Sequence, residues 1–185
     1  MSQLLFDELI SSDIVYTNSR GVLSRAIAEF ALGFVLDTAK DAQTSFRRQQ
    51  HHRWQHRITR KIQGQTAMVV GTGSLGREIA RLFHAVGMKV SGAGRSSRPG
   101  DDDFAQIHPC RDLATFAGDY DYVVLAAPLT TQTSGLISAE VLAAMKPTAH
   151  LINVARGELV DTSALTDALA SGSVAGAALD VVHPE

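Results

Sequence analysis

Three glycines, Gly71, Gly73 and Gly76, form a G-x-G-x-x-G turn that follows a β-branched run and precedes apolar residues at helical spacing. Such a turn lets the amides at the start of a helix bind a pyrophosphate, because glycine permits close approach and the helix dipole favours an anion. Glycine turns also occur for packing alone. The position of this turn between a strand and a helix favours a dinucleotide site.

The end of the second predicted strand bears on which nucleotide binds. An NAD site usually carries an acidic residue there, about 20 residues after the turn, to bind the ribose hydroxyls. This chain has Gly94-Arg95-Ser96-Ser97-Arg98 and no acid. A small residue followed by Arg and Ser leaves space and donors for a 2′-phosphate, which predicts that NADP is favoured over NAD. The alternative is a loop with two solvated arginines.

Polar residues also follow later strands. Pro128 begins the segment PLTTQTSGLI after one predicted strand, and Asn153 and Arg156 follow another. In open α/β sheets ligands gather at the carboxyl ends of strands, so these residues are expected to face the same crevice as the glycine turn. The planar guanidinium of Arg156 is suited to binding a carboxylate and polarising an adjacent carbonyl. Alternatively, Arg156 pairs with Glu158 or Asp161.

Hydrophobic patterning predicts the elements that position these residues. From Gly64 to Glu185, apolar runs without alternation are separated by helical patterns, which predicts a doubly wound parallel sheet with helices on both faces. We therefore expect a three-layer α/β domain of Rossmann type. The predicted strands are Ala67–Val70, Met88–Ser91, Tyr122–Ala126, His150–Val154 and Ala175–Asp180, and the later helices are Ser138–Met145 and Thr162–Ser171. The polar segment Ser96–Asp103 is predicted to be a surface loop.

Residues 1–63 are predicted to form an N-terminal part that precedes the Rossmann-type domain. It comprises a turn, a long amphipathic helix over Ser24–Ala42 and a basic, His-rich connector over Arg47–Arg60. His52 and His56 have a spacing that suits a metal on a helix. No Cys, Asp or Glu lies nearby to complete the ligands, so no metal is expected.

Composition narrows the class of protein. The 185 residues are 45% hydrophobic with a net charge of -2, which predicts a sizeable core and no basic excess for binding nucleic acid or anionic membranes. Cys110 is the only cysteine, which excludes an internal disulfide, and we expect its thiol to be inert. The first residues carry acids rather than the features of a signal peptide, and a cytoplasmic location is expected.

The motifs together resemble the NAD(P)-binding domain of the D-isomer-specific 2-hydroxyacid dehydrogenases over nearly the whole chain. The resemblance rests on TNSRG…AEFALGFVL, GTGSLG, PLTTQTSGLI, MKPTAHLINVARGELVDTSAL and GAALDV. It implies reduction of a small 2-keto acid, such as glyoxylate or hydroxypyruvate, by hydride transfer from a nicotinamide cofactor. It also implies a homodimer in which the long helix and the connector contact the second subunit.

Matching motif to motif carries the family's site residues onto this chain. The catalytic arginine falls on Arg156, and the catalytic glutamate, five positions after Asp180, falls on Glu185. Asp180 matches the residue that meets the nicotinamide carboxamide, and Gly94 falls where the family has its ribose-binding acid. The resemblance assigns further cofactor contacts, mostly through the backbone, to Ser74, Leu75, Ala127, Pro128, Val154 and Ala155.

The resemblance also implies parts that these residues do not include. The family's acid/base histidine, whose pKa the glutamate raises, is expected beyond Glu185, and its substrate domain is expected before Met1. We therefore expect this chain to bind cofactor without turnover. The alternative is a non-enzymatic dinucleotide sensor of the corepressor type. The presence of Arg156 and Glu185 favours an enzyme, because a protein that only binds needs neither.

Overall fold

A computed structural model describes residues 9, 11–15, 17, 19 and 21–184. Glu185, to which the resemblance assigns a catalytic role, lies outside the described residues. The strands are β1 (Thr66–Val70), β2 (Lys89–Gly94), β3 (Arg98–Pro99), β4 (Gln106–Pro109), β5 (Tyr122–Leu125), β6 (His150–Asn153) and β7 (Gly176–Leu179). The helices are α1 (Ser24–Lys40), α2 (Ala42–Gln50), α3 (Ser74–Ala85), α4 (Leu113–Phe116), α5 (Ala139–Ala144) and α6 (Thr162–Ser171).

These strands form one sheet of seven, in the order β3-β4-β2-β1-β5-β6-β7. Every neighbouring pair is parallel except β3 with β4. The chain builds outward from β1 in one direction through β2 and in the other through β5, so the strand order reverses between β1 and β5. This doubly wound α/β topology confirms the predicted fold class.

Both faces of the sheet are covered by helices. Along β1, Met68 and Val70 belong to one core cluster, whereas Ala67 and Val69 belong to the other. All four are fully buried, because successive side chains of a strand point to opposite faces. This explains why the strands lack a polar alternation in the sequence.

Helix α1 covers one face through its small residues. Ala28, Ala31 and Val35 are fully buried in the same core cluster as Ile79 and Phe83 of α3. Their spacing of three to four residues places them on one side of α1. On the other face, α4, α5 and α6 contribute residues to the second cluster.

Two local predictions were wrong in detail. The helix predicted to end at Ala42 stops at Lys40, because Asp41 has a left-handed backbone with φ +49°, and a second helix, α2, then covers the start of the predicted connector. The segment predicted as the polar loop Ser96–Asp103 contains the short strand β3, and its last residue, Asp103, is buried.

Strand β2 also runs three residues beyond its predicted end at Ser91, and β4 was not predicted. Among the described residues, no helix is both long and apolar enough to cross a membrane.

Candidate active site

The parallel register brings the carboxyl ends of the central strands into line. Val70 of β1 pairs with Ala93 of β2 and Leu125 of β5, Leu125 pairs with Asn153 of β6, and Asn153 pairs with Leu179 of β7. The residues that follow these positions therefore meet along one edge of the sheet. That edge carries the glycine turn and the predicted site residues Gly94, Arg95, Ser96, Ala127, Pro128, Val154, Ala155, Arg156 and Asp180.

The glycine turn has the close contacts that require glycine. Gly71 has φ +110°, and a Cβ there would lie 2.6 Å from the backbone of Ala126 and Ala127. A Cβ on Gly76 would lie 1.8 Å from the carbonyl oxygen of Gly71. Helix α3 begins after Gly73 with no side-chain cap on its first amides. The turn therefore fits the pyrophosphate of a dinucleotide, because the backbone is open and those amides are directed to the strand edge.

The end of β2 lies beside the same turn. A Cβ on Gly94 would be 3.4 Å from Oγ1 of Thr72, an ordinary contact, so a side chain is tolerated there. Arg98 Nη2 lies 3.4 Å from the same oxygen of Thr72, and Arg95, Ser96 and Arg98 are all exposed. Arg98 is thus directed across the turn rather than only into solvent. The sequence placed Arg98 in the right segment but gave no signal for its contact with Thr72.

An ion-pair network holds the segment that follows Arg98 against α3. Arg77 Nη2 lies 2.8 Å from Asp101 and its Nη1 2.6 Å from Asp103, and Arg81 Nε lies 2.9 Å from Asp103. Burial raises the pKa of Asp103, but the two arginines outweigh burial and hold the pKa below its ordinary value of 3.8. No feature of the sequence predicted this network, because three consecutive aspartates are more typical of a solvated loop.

Asn153, predicted to face the crevice, is instead fully buried. Its Nδ2 donates to the carbonyl oxygen of Arg156 at 2.9 Å, and its Oδ1 accepts from the amide of Ala155 at 3.0 Å. The side chain therefore closes the turn after β6 rather than lining the site. This turn fixes the backbone at Arg156.

The guanidinium of Arg156 is exposed, and Nη1 donates to the carbonyl oxygen of Ala155 at 2.6 Å. Within the described part of the chain Arg156 forms no ion pair, so the alternative pairing with Glu158 or Asp161 is not observed. Asp161 instead accepts a hydrogen bond from the amide of Ala164 and caps α6. No described residue bonds the other donors of Arg156, which are therefore available to a ligand.

The last described residues pack against the same turn. A Cβ on Gly157 would lie 2.2 Å from the carbonyl carbon of Val182, so only glycine permits this approach. The amide of Asp180 donates to the carbonyl oxygen of Asn153 at 2.9 Å, and Thr162 donates to that of His183. The chain that leads to Glu185 therefore runs directly beside the Arg156 turn.

Cys110 and the pair of His52 and His56 were the other candidate reactive or metal-binding groups in the sequence. Burial raises the pKa of Cys110, which keeps its thiol protonated and less nucleophilic. In the described ranges, no group of three His, Cys, Asp or Glu residues could hold a metal, and His52 and His56 lie in the segment after α2.

Comparison with known proteins identifies the family. Residues 32–185 match the sequence model of the D-isomer specific 2-hydroxyacid dehydrogenase, NAD binding domain. The chain belongs to this family. Glyoxylate reductase from Thermococcus gammatolerans is 34% identical over 190 residues, which cover 97% of this chain and 56% of the relative. The chain therefore spans about half the length of the curated relatives it matches.

Solved structures of the family have the same fold. A D-isomer specific 2-hydroxyacid dehydrogenase from Xanthobacter autotrophicus Py2, solved with NADPH and MES, superimposes with a TM-score of 0.81 at 37% identity, covering 88% of this chain and 51% of that one. Phosphoglycerate dehydrogenase from Lactobacillus plantarum gives 0.82 at 32% identity, covering 96% and 57%. The chain is thus an NAD-binding domain of this family. Nothing in the comparisons supports the corepressor alternative.

Proposed function

We propose that the chain binds NADP(H) in preference to NAD(H) along the carboxyl edge of the sheet. The amides of Ser74 and Leu75 would bind the pyrophosphate, and Gly94 leaves space for a 2′-phosphate that Arg95, Ser96 and Arg98 would bind. The observation that carries the preference is the contact of Arg98 with Thr72, beside an end of β2 that lacks an acid. The related Xanthobacter enzyme, whose structure contains NADPH, supports the same choice.

Calorimetric titration of the 185-residue chain with NADPH and with NADH tests this preference. Charge-assisted hydrogen bonds contribute roughly 1.5–3 kcal/mol each, so a single one predicts a dissociation constant for NADPH at least about tenfold lower. Equal dissociation constants for the two cofactors would refute the preference. Binding of neither cofactor would refute the site itself.

The same edge supports reduction of a small 2-keto acid, with glyoxylate or hydroxypyruvate as the substrate class. When bound, the nicotinamide supplies hydride to the carbonyl carbon. Arg156 would bind the substrate carboxylate with its open donors and stabilise the charge that develops on the carbonyl oxygen. Asp180 would orient the carboxamide, and Glu185 would support the proton donor. The glyoxylate reductase of Thermococcus gammatolerans supports this substrate class.

Substitution of Arg156 in the full-length protein tests this role. Arg156→Ala should lower kcat/KM on the order of 10²-fold or more, because the contact strengthens as charge develops. Arg156→Lys should restore only part of it, since an ammonium lacks the two-pronged geometry. NADPH affinity and the melting temperature serve as controls and should barely change. A destabilised alanine variant with unaltered kcat/KM would remove Arg156 from the catalytic residues.

We also propose that the protein is a homodimer whose interface includes the connector. Phe46, Trp54 and Ile58 are 59%, 95% and 94% exposed, which is unusual for large apolar side chains. Residues 42–63 contain six Lys or Arg and no acid, so all nineteen acidic residues lie elsewhere and give a second copy complementary charge. Light scattering after size exclusion should give twice the 19.8 kDa chain mass. A monomer at micromolar concentration would contradict the dimer.

Three expectations from the sequence remain predictions. They are the division of the chain into residues 1–63 and 64–185, the cytoplasmic location, and the lack of nucleic-acid or membrane partners. Cell fractionation and binding assays with duplex DNA and anionic vesicles test the last two directly.

A further inference from the structure

We propose that Asp101 and Asp103, through their ion pairs with Arg77 and Arg81, are positioning residues that hold Arg98 in place for a 2′-phosphate. The inference concerns the 95–105 loop, which joins β2 to β4. It rests on the proposed NADP(H) preference and adds the cause of that preference. Without the ion pairs, Arg98 would lie on a loop held less tightly to the glycine-turn helix, through Phe104 and the contact of His84 with the carbonyl oxygen of Asp103.

The loop is tied to α3 at one place. Arg77 joins both aspartates with separate nitrogens, at 2.8 Å to Asp101 and 2.6 Å to Asp103, and its guanidinium carbon lies 5.6 Å from the ring centre of Phe104. Arg81 adds a contact of 2.9 Å to Asp103. Asp103 is only 5% exposed, so its carboxylate is fixed between α3 and the loop rather than solvated.

The two aspartates also shape the loop itself. Asp101 Oδ1 accepts from the amides of Asp103 at 3.1 Å and Phe104 at 3.2 Å, and the Asp101 amide donates to the carbonyl oxygen of Phe104 at 2.8 Å. These bonds form a tight turn immediately after β3. The turn sets the antiparallel pairing of Arg98 with Ile107.

That pairing determines where Arg98 points. Strand β3 has two residues, Arg98 and Pro99, and among the described strands it pairs with β4 alone. So short an edge strand contributes little stability by itself. The turn at Asp101 and the ion pairs to α3 therefore keep Arg98 beside Thr72 of the glycine turn. Because α3 begins at that turn, one helix positions both the pyrophosphate amides and the 2′-phosphate arginine.

The charges of the three aspartates allow a positioning role to be distinguished from a direct electrostatic effect on a bound phosphate. Three consecutive aspartates beside an anion site would weaken binding if they acted only through long-range repulsion. Asp101 and Asp103 are neutralised by Arg77 and Arg81, whereas Asp102 is exposed and has no ion pair among the described residues. Asp102 therefore supplies a matched control with the same charge in the same loop.

The experiment compares Asp101→Asn, Asp103→Asn and the control Asp102→Asn in the 185-residue chain. NADPH, NADH and 2′,5′-ADP are titrated calorimetrically, and each variant is melted to measure its stability. We expect Asp101→Asn and Asp103→Asn to weaken NADPH and 2′,5′-ADP about tenfold, the size of one lost charge-assisted contact, while NADH affinity is unchanged. Asp102→Asn should leave all three affinities within about twofold or strengthen the phosphate ligands slightly.

Arg77→Lys provides a second variant that keeps the charge and loses the two-pronged contact. It should reduce the NADPH preference as Asp101→Asn does, whereas a role in folding alone would lower the melting temperature and leave the ratio of NADPH to NADH affinity intact. An unchanged ratio in folded Asp101→Asn and Arg77→Lys overturns the inference. Tighter NADPH binding by Asp101→Asn and Asp103→Asn also overturns it, because the aspartates then act by repulsion. If the unaltered chain shows no NADPH preference, the proposed function fails instead.

Discussion

Replacing Gly94 by aspartate should reverse the cofactor preference. This position ends β2, and a Cβ there would make only ordinary contacts of 3.4 Å with Thr72 and Ile107. The backbone does not need a positive φ at Gly94, so Gly94→Asp should fold. The new carboxylate would lie where a ribose-binding acid is found in NAD sites.

Two interactions determine how far Gly94→Asp should change the ratio of NADPH affinity to NADH affinity. For a carboxylate and a phosphate of charge about −1.5 at about 6 Å, an effective dielectric constant of about 40–80 gives a repulsion of about 1–2 kcal/mol. Hydrogen bonds from the ribose hydroxyls of NADH to the carboxylate add roughly 1.5–3 kcal/mol in favour of NADH. Together these terms change the ratio of the two affinities by about 10²-fold or more.

Calorimetric titration of the unaltered chain, Gly94→Asp and Gly94→Ala with both cofactors measures this change. Gly94→Ala adds the Cβ without the charge and should keep the NADPH preference. If Gly94→Asp is folded and still prefers NADPH as strongly as Gly94→Ala does, the 2′-phosphate does not lie at the end of β2. The assignment of Arg95, Ser96 and Arg98 would then fail with it.

Three further outcomes are expected. Gly76→Ala should destabilise the fold and abolish cofactor binding, because its Cβ would lie 1.8 Å from the Gly71 oxygen; a normal melting curve would contradict this. The 185-residue chain should reduce glyoxylate and hydroxypyruvate negligibly in a spectrophotometric assay. The groups that position the substrate and donate the proton are expected outside these residues, and general acid catalysis alone is worth about 10²–10⁴-fold in rate. Turnover of about one per second would refute this expectation. The arginines hold the pKa of Asp103 below 3.8, so its stabilising contribution should be complete above that pH and be lost as pH falls through the lowered pKa. Denaturant unfolding of Asp103→Asn should therefore show lower stability at neutral pH and a smaller loss on acidification, and parallel pH profiles would contradict the ion pairs.

The strands that flank the site could be predicted because the patterns that mark them lie within short stretches of the sequence. Buried parallel strands consist of apolar runs, and the glycine turn marks where β1 ends and α3 begins. Once β1, β5 and β6 are parallel, the register alone brings Gly71, Ala127 and Arg156 to one edge. The sequence therefore contained enough information to place most of the candidate site.

The parts that were missed depend on contacts between distant segments. Strand β4 reads QIHP, which is short, half polar and ends in proline, so no periodicity marks it. Asp103 looks like a solvated acid until α3 places Arg77 and Arg81 against it. Asp41 ends α1 in a left-handed conformation without the glycine that usually signals such an end. Asn153 was predicted to face the crevice, because no sequence pattern marks the hydrogen bonds of its side chain to the turn after β6.

The order of the strands separates the residues proposed to select the cofactor from the residue proposed to bind the substrate. The residues proposed to select the nucleotide follow β2, whereas Arg156 follows β6, and β1 and β5 lie between them. Three strand spacings of about 4.8 Å place these two ends roughly 14 Å apart, a distance that an extended dinucleotide bridges and a direct side-chain contact does not. Changes at Gly94 should therefore leave the Arg156 turn intact, because Asn153 fixes that turn through bonds within β6 and its own loop. For the same reason, a substitution at the end of β2 that changes the proposed cofactor preference should not require any rebuilding of the turn that carries Arg156.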